Sequence, residues 1–362
     1  MSEGQGKAGQ GKARQGREKH SSHDIYISHR RRRLYRQPYL QGVAPRRIRS
    51  RRLRQSFARQ SGVGARGALE IGELADVVRL RAALARYRPA AVVHFAAFAY
   101  VGESTLNPSL YYQNNVGGTA ALLGAMRDTG VSKIVFSSSC AVYGTPEVVP
   151  ISEQAPYAPI NPYGATKMIC ERMLQECAAA FPLSFMVLRY FNAAGADPEG
   201  EIGECHVPET HAIPLLLEAA AGDSKGFTIF GDDYPTADGT CVRDYVHVTD
   251  LADAHVAAVR ALLDGAESTA LNLGTGRGWS VRELIASAQK VTGRDIPVLV
   301  GARRPGDPPV LIADASRARH QLGWRPKYPD LSSQVMHAWA WRQGTGKSWK
   351  QMQKRPVIEA SY

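Results

Sequence analysis

Two stretches, KIVFSSSCAVYG at residues 133–144 and NPYGATK at residues 161–167, decide how this chain reads. The first is an apolar run of strand length that ends in three serines, Ser137, Ser138 and Ser139. It has the pattern of a buried parallel strand opening into a loop. The second has the pattern of a helix start, and a 3.6-residue period puts Tyr163 and Lys167 on one face. A phenol with an ordinary pKa of about 10 is a poor base at neutral pH. A cation one helical turn away favours the phenolate, which makes Tyr163 a proton acceptor. Alone, a Tyr and a Lys at this spacing read as a solvated helix surface; the serine-ended strand upstream reverses that reading.

Around this pair the chain alternates between helix and strand. Residues 74–87 carry apolar positions at three and four spacing and predict a helix; residues 90–97, AAVVHFAA, predict a buried strand. A helix within 110–129, the strand IVFSSS, a helix from Tyr163 to about Ala180 and the strand FMVLRYFN at 185–192 follow. This alternation predicts an α/β fold, a doubly wound parallel sheet of Rossmann type with a smaller C-terminal α/β substrate domain. Ligands of such sheets sit at the carboxyl ends of the strands, where Phe95, Ser139 and Asn192 fall. After Asn192 the pattern loosens into Gly, Pro and Asp rich loops with short helices, one of them from His211. A short strand carries residues 246–248, with a helix from Asp250, and in ALNLGTGRGWSVRELI, residues 270–285, Ser280 and Glu283 form a capping box that marks the Gly-rich stretch as a tight turn. RRPGDPP, residues 303–309, sets two guanidiniums beside an acid. They suit a diphosphate, and equally a bare exposed surface.

The 362 residues, 44% of them hydrophobic, have the make-up of an ordinary globular protein, and no run of 18 apolar residues appears. The charged N-terminal segment has no apolar core, which argues against a secretory signal. Cys140, Cys170, Cys177, Cys205 and Cys241 show no metal-ligand spacing, so reduced cytoplasmic thiols and no metal site are expected. The net charge of +12 is uneven: residues 1–66 hold 18 Lys and Arg against 3 Asp and Glu, and the remainder is slightly acidic.

Beyond these patterns, HFAAFAYVGES, YYQNNVGGT, FSSSCAVYG, PYGATK, LRYFNAAGA, IFGDDYPTADGTCVRDYVHVTDLADAH, NLGTGRGWSV and RRPGDPP, in this order over residues 67–349, resemble the extended short-chain dehydrogenase/reductases and, within them, the UDP-glucose 4-epimerases. The resemblance implies an NAD-dependent isomerase acting on UDP-glucose or UDP-galactose, cytoplasmic, without a nucleic-acid or membrane partner and with room for a homodimer. Tyr163 would take the proton of the sugar 4-hydroxyl while the C4 hydride passes to NAD, and the 4-keto sugar would turn over and take the hydride back on its other face. Lys167 would bind the nicotinamide ribose and, with the positive nicotinamide ring, lower the Tyr163 pKa, and Ser139 would hydrogen-bond the reacting hydroxyl. By the same resemblance Glu73, Phe95, Asn114, Ser137 and Phe191 line the cofactor, and Asn192, His211, Arg243, Tyr245, Arg304 and Asp307 hold the nucleotide-sugar.

Departures from the family pattern leave the sugar open, including N-acetylated and pentose forms. Glu73 stands for an Asp, Ala99 for a Lys, Leu311 for a Tyr and His211 for an Asn. A nucleotide-sugar 4,6-dehydratase would need an acid-base pair at Cys140 and Ala141, and neither is acidic. The last rival is a dehydrogenase-like protein without catalysis, or a nucleic-acid binder acting through the basic head.

That head lacks the family's Gly-rich phosphate loop. GQGKAG, residues 4–9, fits a GxGxxG spacing with no strand before it or helix after it. HRRRRLYRQPY, residues 29–39, can be encoded by codons that read TGGAGYIGSHT one base on, and RQSFARQ, residues 54–60, then reads DNLSRG, with its Asp about 20 residues past the last loop glycine. The expected organisation is therefore a frame-shifted or disordered head at 1–66, an NAD-binding domain at 67–196 without first strand or Gly-rich loop, a nucleotide-sugar domain at 197–349 with 236–275 returning to the sheet, and a tail at 350–362.

Overall fold

In the computed structural model, the described residues are 23–28, 49–54, 69–204, 206, 209–304 and 306–353. Seven strands form one sheet in the order Thr269–Leu273, Ser184–Tyr190, Lys133–Ser139, Pro89–His94, His23–Ser28, Arg49–Arg54, Leu69–Ile71, and every neighbouring pair is parallel. The chain builds outward in one direction from His23–Ser28 through Leu69–Ile71, then crosses to Pro89–His94 and builds the other way. That reversal creates a crevice at the carboxyl ends of His23–Ser28 and Pro89–His94, the usual ligand position in a doubly wound sheet.

His23–Ser28 corrects one expectation. The first strand is not missing: it lies in the middle of the sheet, paired with Arg49–Arg54 and with Pro89–His94. Ile25, Tyr26 and Ile27 are β-branched or aromatic and favour a pleated strand. The head is therefore not wholly disordered, since two of its segments pair in the sheet. The place of the Gly-rich loop, directly after this strand, falls in residues 29–48, outside the described residues. The sequence there has one glycine, Gly42, and seven arginines.

The apolar runs read as continuous because both faces of the sheet are covered, and the two-residue period still sorts them. Val92, Ile134, Phe136, Phe185 and Val187 point to one side, into a core shared with Leu84, Leu122, Met126 and Leu174. Ala91, Val93, Val135, Met186 and Leu188 point to the other, against Leu251, Val259 and Leu262 of the helix Val248–Leu263. A separate core joins the helices Ala212–Ala220, Val281–Thr292 and Leu331–Gln353.

Two domain limits shift. Of residues 236–275, Thr269–Leu273 joins the main sheet, whereas Tyr245–His247 pairs with Asn192–Ala194 in a sheet of its own. The last helix runs to Gln353, past the expected start of the tail. Ser280 and Glu283 form the expected capping box on Val281–Thr292.

Candidate active site

The helix Pro162–Ala180 brings the Tyr–Lys pair to the serine strand. Asn161 caps it, its side chain accepting from Gly164 N at 2.9 Å, and Pro162 sets the first turn. Gly164 is required by contact, because a Cβ there would lie 2.3 Å from the Ala141 carbonyl oxygen in the loop after the strand. The helix start is thus pressed onto the turn that follows Ser139, and Tyr163 and Lys167 are 8% and 4% exposed.

The three serines have separate partners. Ser137 Oγ lies 3.0 Å from His255 Nε2, and the Ser137 carbonyl accepts from Lys167 Nζ at 2.7 Å. Ser138 donates to Glu171. Ser139 Oγ accepts from Ala141 N at 3.2 Å, opening the turn Cys140–Val142, and its hydroxyl acts on the Tyr163 phenol to lower that group's pKa. On His255 the other nitrogen, Nδ1, lies 2.8 Å from the Leu251 carbonyl. A carbonyl only accepts, so Nδ1 carries the proton and Nε2 receives the Ser137 hydroxyl.

In the chain alone, burial pushes the Tyr163 phenol far above its ordinary value, Tyr190 adds to the rise, and Ser139 opposes it. Lys167 Nζ is 5.9 Å from the Tyr163 ring centroid, and burial brings its own pKa down to about 8. A cation at that distance, itself short of solvent and tied to a carbonyl, does not offset the desolvation of the phenol.

Behind the site lies a polar network that the spacing of motifs did not reveal. Glu171, one turn beyond Lys167, pairs with Arg189 at 2.6 Å, their side chains 1% and 4% exposed. Tyr157 donates to Glu171 at 2.8 Å, Arg189 donates to the Tyr143 hydroxyl at 2.8 Å, and Tyr143 donates to Asn272 at 2.7 Å. Arg189 was a usable signal, a lone cation inside the apolar run FMVLRYFN. Asn115 was another miss: it is buried, accepts from Phe98 N at 2.8 Å and donates to Thr166 at 3.1 Å. It shares a π-helical turn, Tyr112–Gly117, with Asn114, which donates to it at 2.8 Å. Such turns re-aim side chains and recur at functional sites.

Of the other expected cofactor residues, Phe95 packs on His255 with ring centroids 4.7 Å apart, Phe191 is buried in the same core, and Glu73 is exposed just past the edge strand Leu69–Ile71. The nicotinamide side of an NAD site fits these residues: Lys167 is a buried ammonium with three donors, of which the Ser137 carbonyl takes one.

On the substrate side, Asn192 N donates to the Asp244 carbonyl at 3.0 Å and Tyr245 is buried. Arg243, 9% exposed, is paired with Asp307 and donates to the Val242 carbonyl at 2.8 Å. Arg304 lies 3.9 Å over the exposed Phe230 ring, while Arg303 pairs with Asp233 at 2.6 Å. The two adjacent arginines are thus differently committed. Leu311 is buried in the sheet core, paired with Arg243. His211, at the start of Ala212–Ala220, is gathered with Glu204, His206 and Glu209. Burial opposes its charge, but the Glu204 carboxylate and the bonds to Glu204 and Glu209 raise its pKa to about 10.

A family model described as GDP-mannose 4,6 dehydratase matches residues 40–331. The UDP-glucose 4-epimerase of Rhizobium meliloti is 54% identical over 275 residues, 76% of this chain and 84% of that protein. The chain belongs to the UDP-glucose 4-epimerase family. A crystal structure of UDP-glucose 4-epimerase from Brucella ovis in complex with NAD superposes with a TM-score of 0.83 at 46% identity, covering 88% of this chain and 98% of that one. Another, from Stenotrophomonas maltophila with bound NAD and formylated UDP-arabinopyranose, gives 0.83 at 35% identity over 90% and 99%. The residues after Ser139 carry no acid-base pair of the dehydratase kind: Cys140 is buried, its thiol pushed up to about 12 by that burial, and Ala141 has no proton to give.

Proposed function

We propose that this chain interconverts UDP-glucose and UDP-galactose by inverting C4, with Tyr163 as the base, Ser139 as its partner on the reacting hydroxyl and Lys167 as the cation that holds the cofactor ribose. The observation that carries this reading is the meeting of the buried Tyr163 and Lys167 with the serine end of Lys133–Ser139 in an epimerase-family fold. Bound NAD would supply the hydride acceptor for C4 and a positive charge. The residues do the rest: Ser139 orients the 4-hydroxyl, Tyr163 takes its proton and gives it back, and Lys167 with the nearby positive charge favours the phenolate that burial alone disfavours. Glu73, Phe95, Asn114, Ser137 and Phe191 line the cofactor. Asn192, His211, Arg243, Tyr245, Arg304 and Asp307 hold the UDP-sugar, with Arg243 poised by Asp307.

This reading includes a homodimer, a cytoplasmic setting and no nucleic-acid or membrane partner. Among the described residues no helix is long and apolar enough to cross a membrane. The test is interconversion of UDP-glucose and UDP-galactose by the purified chain supplied with NAD, with UDP-N-acetylglucosamine and UDP-pentoses alongside. Turnover of the hexose pair supports the reading. Turnover confined to N-acetylated or pentose substrates would replace it with epimerisation of that sugar, which the His211 and Leu311 departures keep in view.

A further inference from the structure

Cysteine spacing gave no metal site, but it does not probe the donor set formed at residues 204–211. Glu204, His206, Glu209 and His211 each bring one ligand atom, and all four atoms lie within 4.8 Å of one another. His206 Nδ1 is 3.1 Å from Glu204 Oε1 and 3.6 Å from Glu209 Oε1, His211 Nδ1 is 3.4 Å from Glu209 Oε1, and His211 also contacts Glu204. Bonds of about 2.0–2.2 Å from a tetrahedral ion put its ligands about 3.3–3.6 Å apart, so the spacings of 3.1, 3.4 and 3.6 Å are close to a tetrahedron's edges, and the His211–Glu204 contact is shorter. A second observation points the same way. The Glu209 side chain is 3% exposed, and its Oε2 has no hydrogen-bond partner among the described residues. A buried carboxylate oxygen without a donor is costly, and a cation removes that cost. Imidazole and carboxylate donors suit zinc and its neighbours better than calcium or magnesium.

The geometry points to a divalent transition-metal site formed by Glu204, His206, Glu209 and His211. Two neighbouring side chains brace it. The Tyr100 ring meets His206 edge-on at 5.7 Å, and Trp341 donates to the Glu204 carbonyl at 3.0 Å. An ion there ties the segment that starts the helix Ala212–Ala220 to the loop after Pro89–His94 and to the last helix, so its expected role is to brace the substrate domain against the cofactor domain.

The test uses the full chain, stripped with a chelator and dialysed, then titrated with Co²⁺ and with Zn²⁺. One equivalent of Co²⁺ with the visible bands of a four-coordinate nitrogen and oxygen site is expected, with competition by Zn²⁺. His206→Gln and Glu209→Gln should each weaken binding at least tenfold while far-UV circular dichroism stays that of the parent. X-ray absorption on the unsubstituted zinc-loaded chain gives a reading independent of variant folding. Two imidazoles and oxygens at about 2.0–2.2 Å are expected. Unsaturable binding, sulfur in the zinc shell, or affinity unchanged in both variants would overturn the site.

Discussion

Substituting Tyr163→Phe removes one oxygen from a buried ring and leaves its packing. The ring is 8% exposed, and the Phe analogue keeps the same contacts with the helix start and the Lys167 side chain. The lost group is the hydroxyl whose pKa Ser139 lowers. Removing a general base costs about 10²- to 10⁴-fold in rate, or about 3 to 6 kcal/mol of transition-state stabilisation at about 1.4 kcal/mol per factor of ten. Folding should lose about 1 kcal/mol or less, the usual net value of one hydrogen bond. UDP-sugar affinity should be unchanged, since only an interaction made in the transition state is removed. Progress curves of UDP-galactose formation, with UDP binding by calorimetry and thermal unfolding on the same preparations, separate the three quantities. A companion Lys167→Met removes the cation beside the ring. Its acid limb, where rate rises with pH as the base loses its proton, should move to higher pH. A Tyr163→Phe chain with kcat within tenfold of the parent, or one that loses UDP binding in step with rate, would refute the assignment.

Glu171→Ala leaves the Arg189 guanidinium, 4% exposed, without its carboxylate, and should destabilise the fold by about 3 to 5 kcal/mol in denaturant unfolding; a loss below about 1 kcal/mol would remove the pair from the stability account. Burial holds the His255 pKa down to about 4, below the unfolded value of 6.5, with the Leu251 carbonyl opposing that shift. The unfolded chain therefore binds the extra proton first as pH falls, and about 3 kcal/mol of stability should be lost between about pH 6.5 and 4. His255→Asn should flatten that part of the profile, and an unaltered profile would count against it. Arg304→Ala should weaken UDP-sugar affinity by about 2 kcal/mol, the worth of a charge-assisted hydrogen bond, and parent-like affinity in calorimetry would take Arg304 out of the diphosphate site. The chain as written should retain less NAD after purification than one whose residues 29–60 are read in the shifted frame, and equal NAD content would sink the frame reading.

Much of the sheet was legible because its strands are short apolar runs between helices of regular period. Ser280 with Glu283 announced its helix through capping chemistry, which is local and so survives in sequence. Arg49–Arg54 was not legible: four arginines in six residues carry no apolar alternation, and its place in the sheet comes from pairing on both sides. The meeting of Tyr163 and Lys167 with the serine-ended strand was readable from spacing, but the pKa shifts of the phenol and the ammonium were not, because desolvation depends on what covers a group and not on its neighbours in the chain. The cluster at Glu204, His206, Glu209 and His211 escaped for a related reason, since a hunt through cysteines cannot find imidazoles and carboxylates.

One stripe of the helix Pro162–Ala180 joins catalysis to stability. Tyr163, Lys167 and Glu171 stand at intervals of four, so they line one face, and each meets a different serine of Lys133–Ser139. Tyr163 meets Ser139, Lys167 the Ser137 carbonyl, and Glu171 the Ser138 hydroxyl. The helix cannot slide along the strand without breaking all three contacts together. Gly164 against Ala141 fixes the near end, and the Glu171–Arg189 pair fixes the far end to the neighbouring strand Ser184–Tyr190. The placement of Tyr163, the proposed base, therefore depends on a carboxylate two turns away. Glu171→Gln, which keeps the volume but removes the charge, should lower kcat more than it raises KM, because it loosens the register of Tyr163 and Lys167 and touches no substrate.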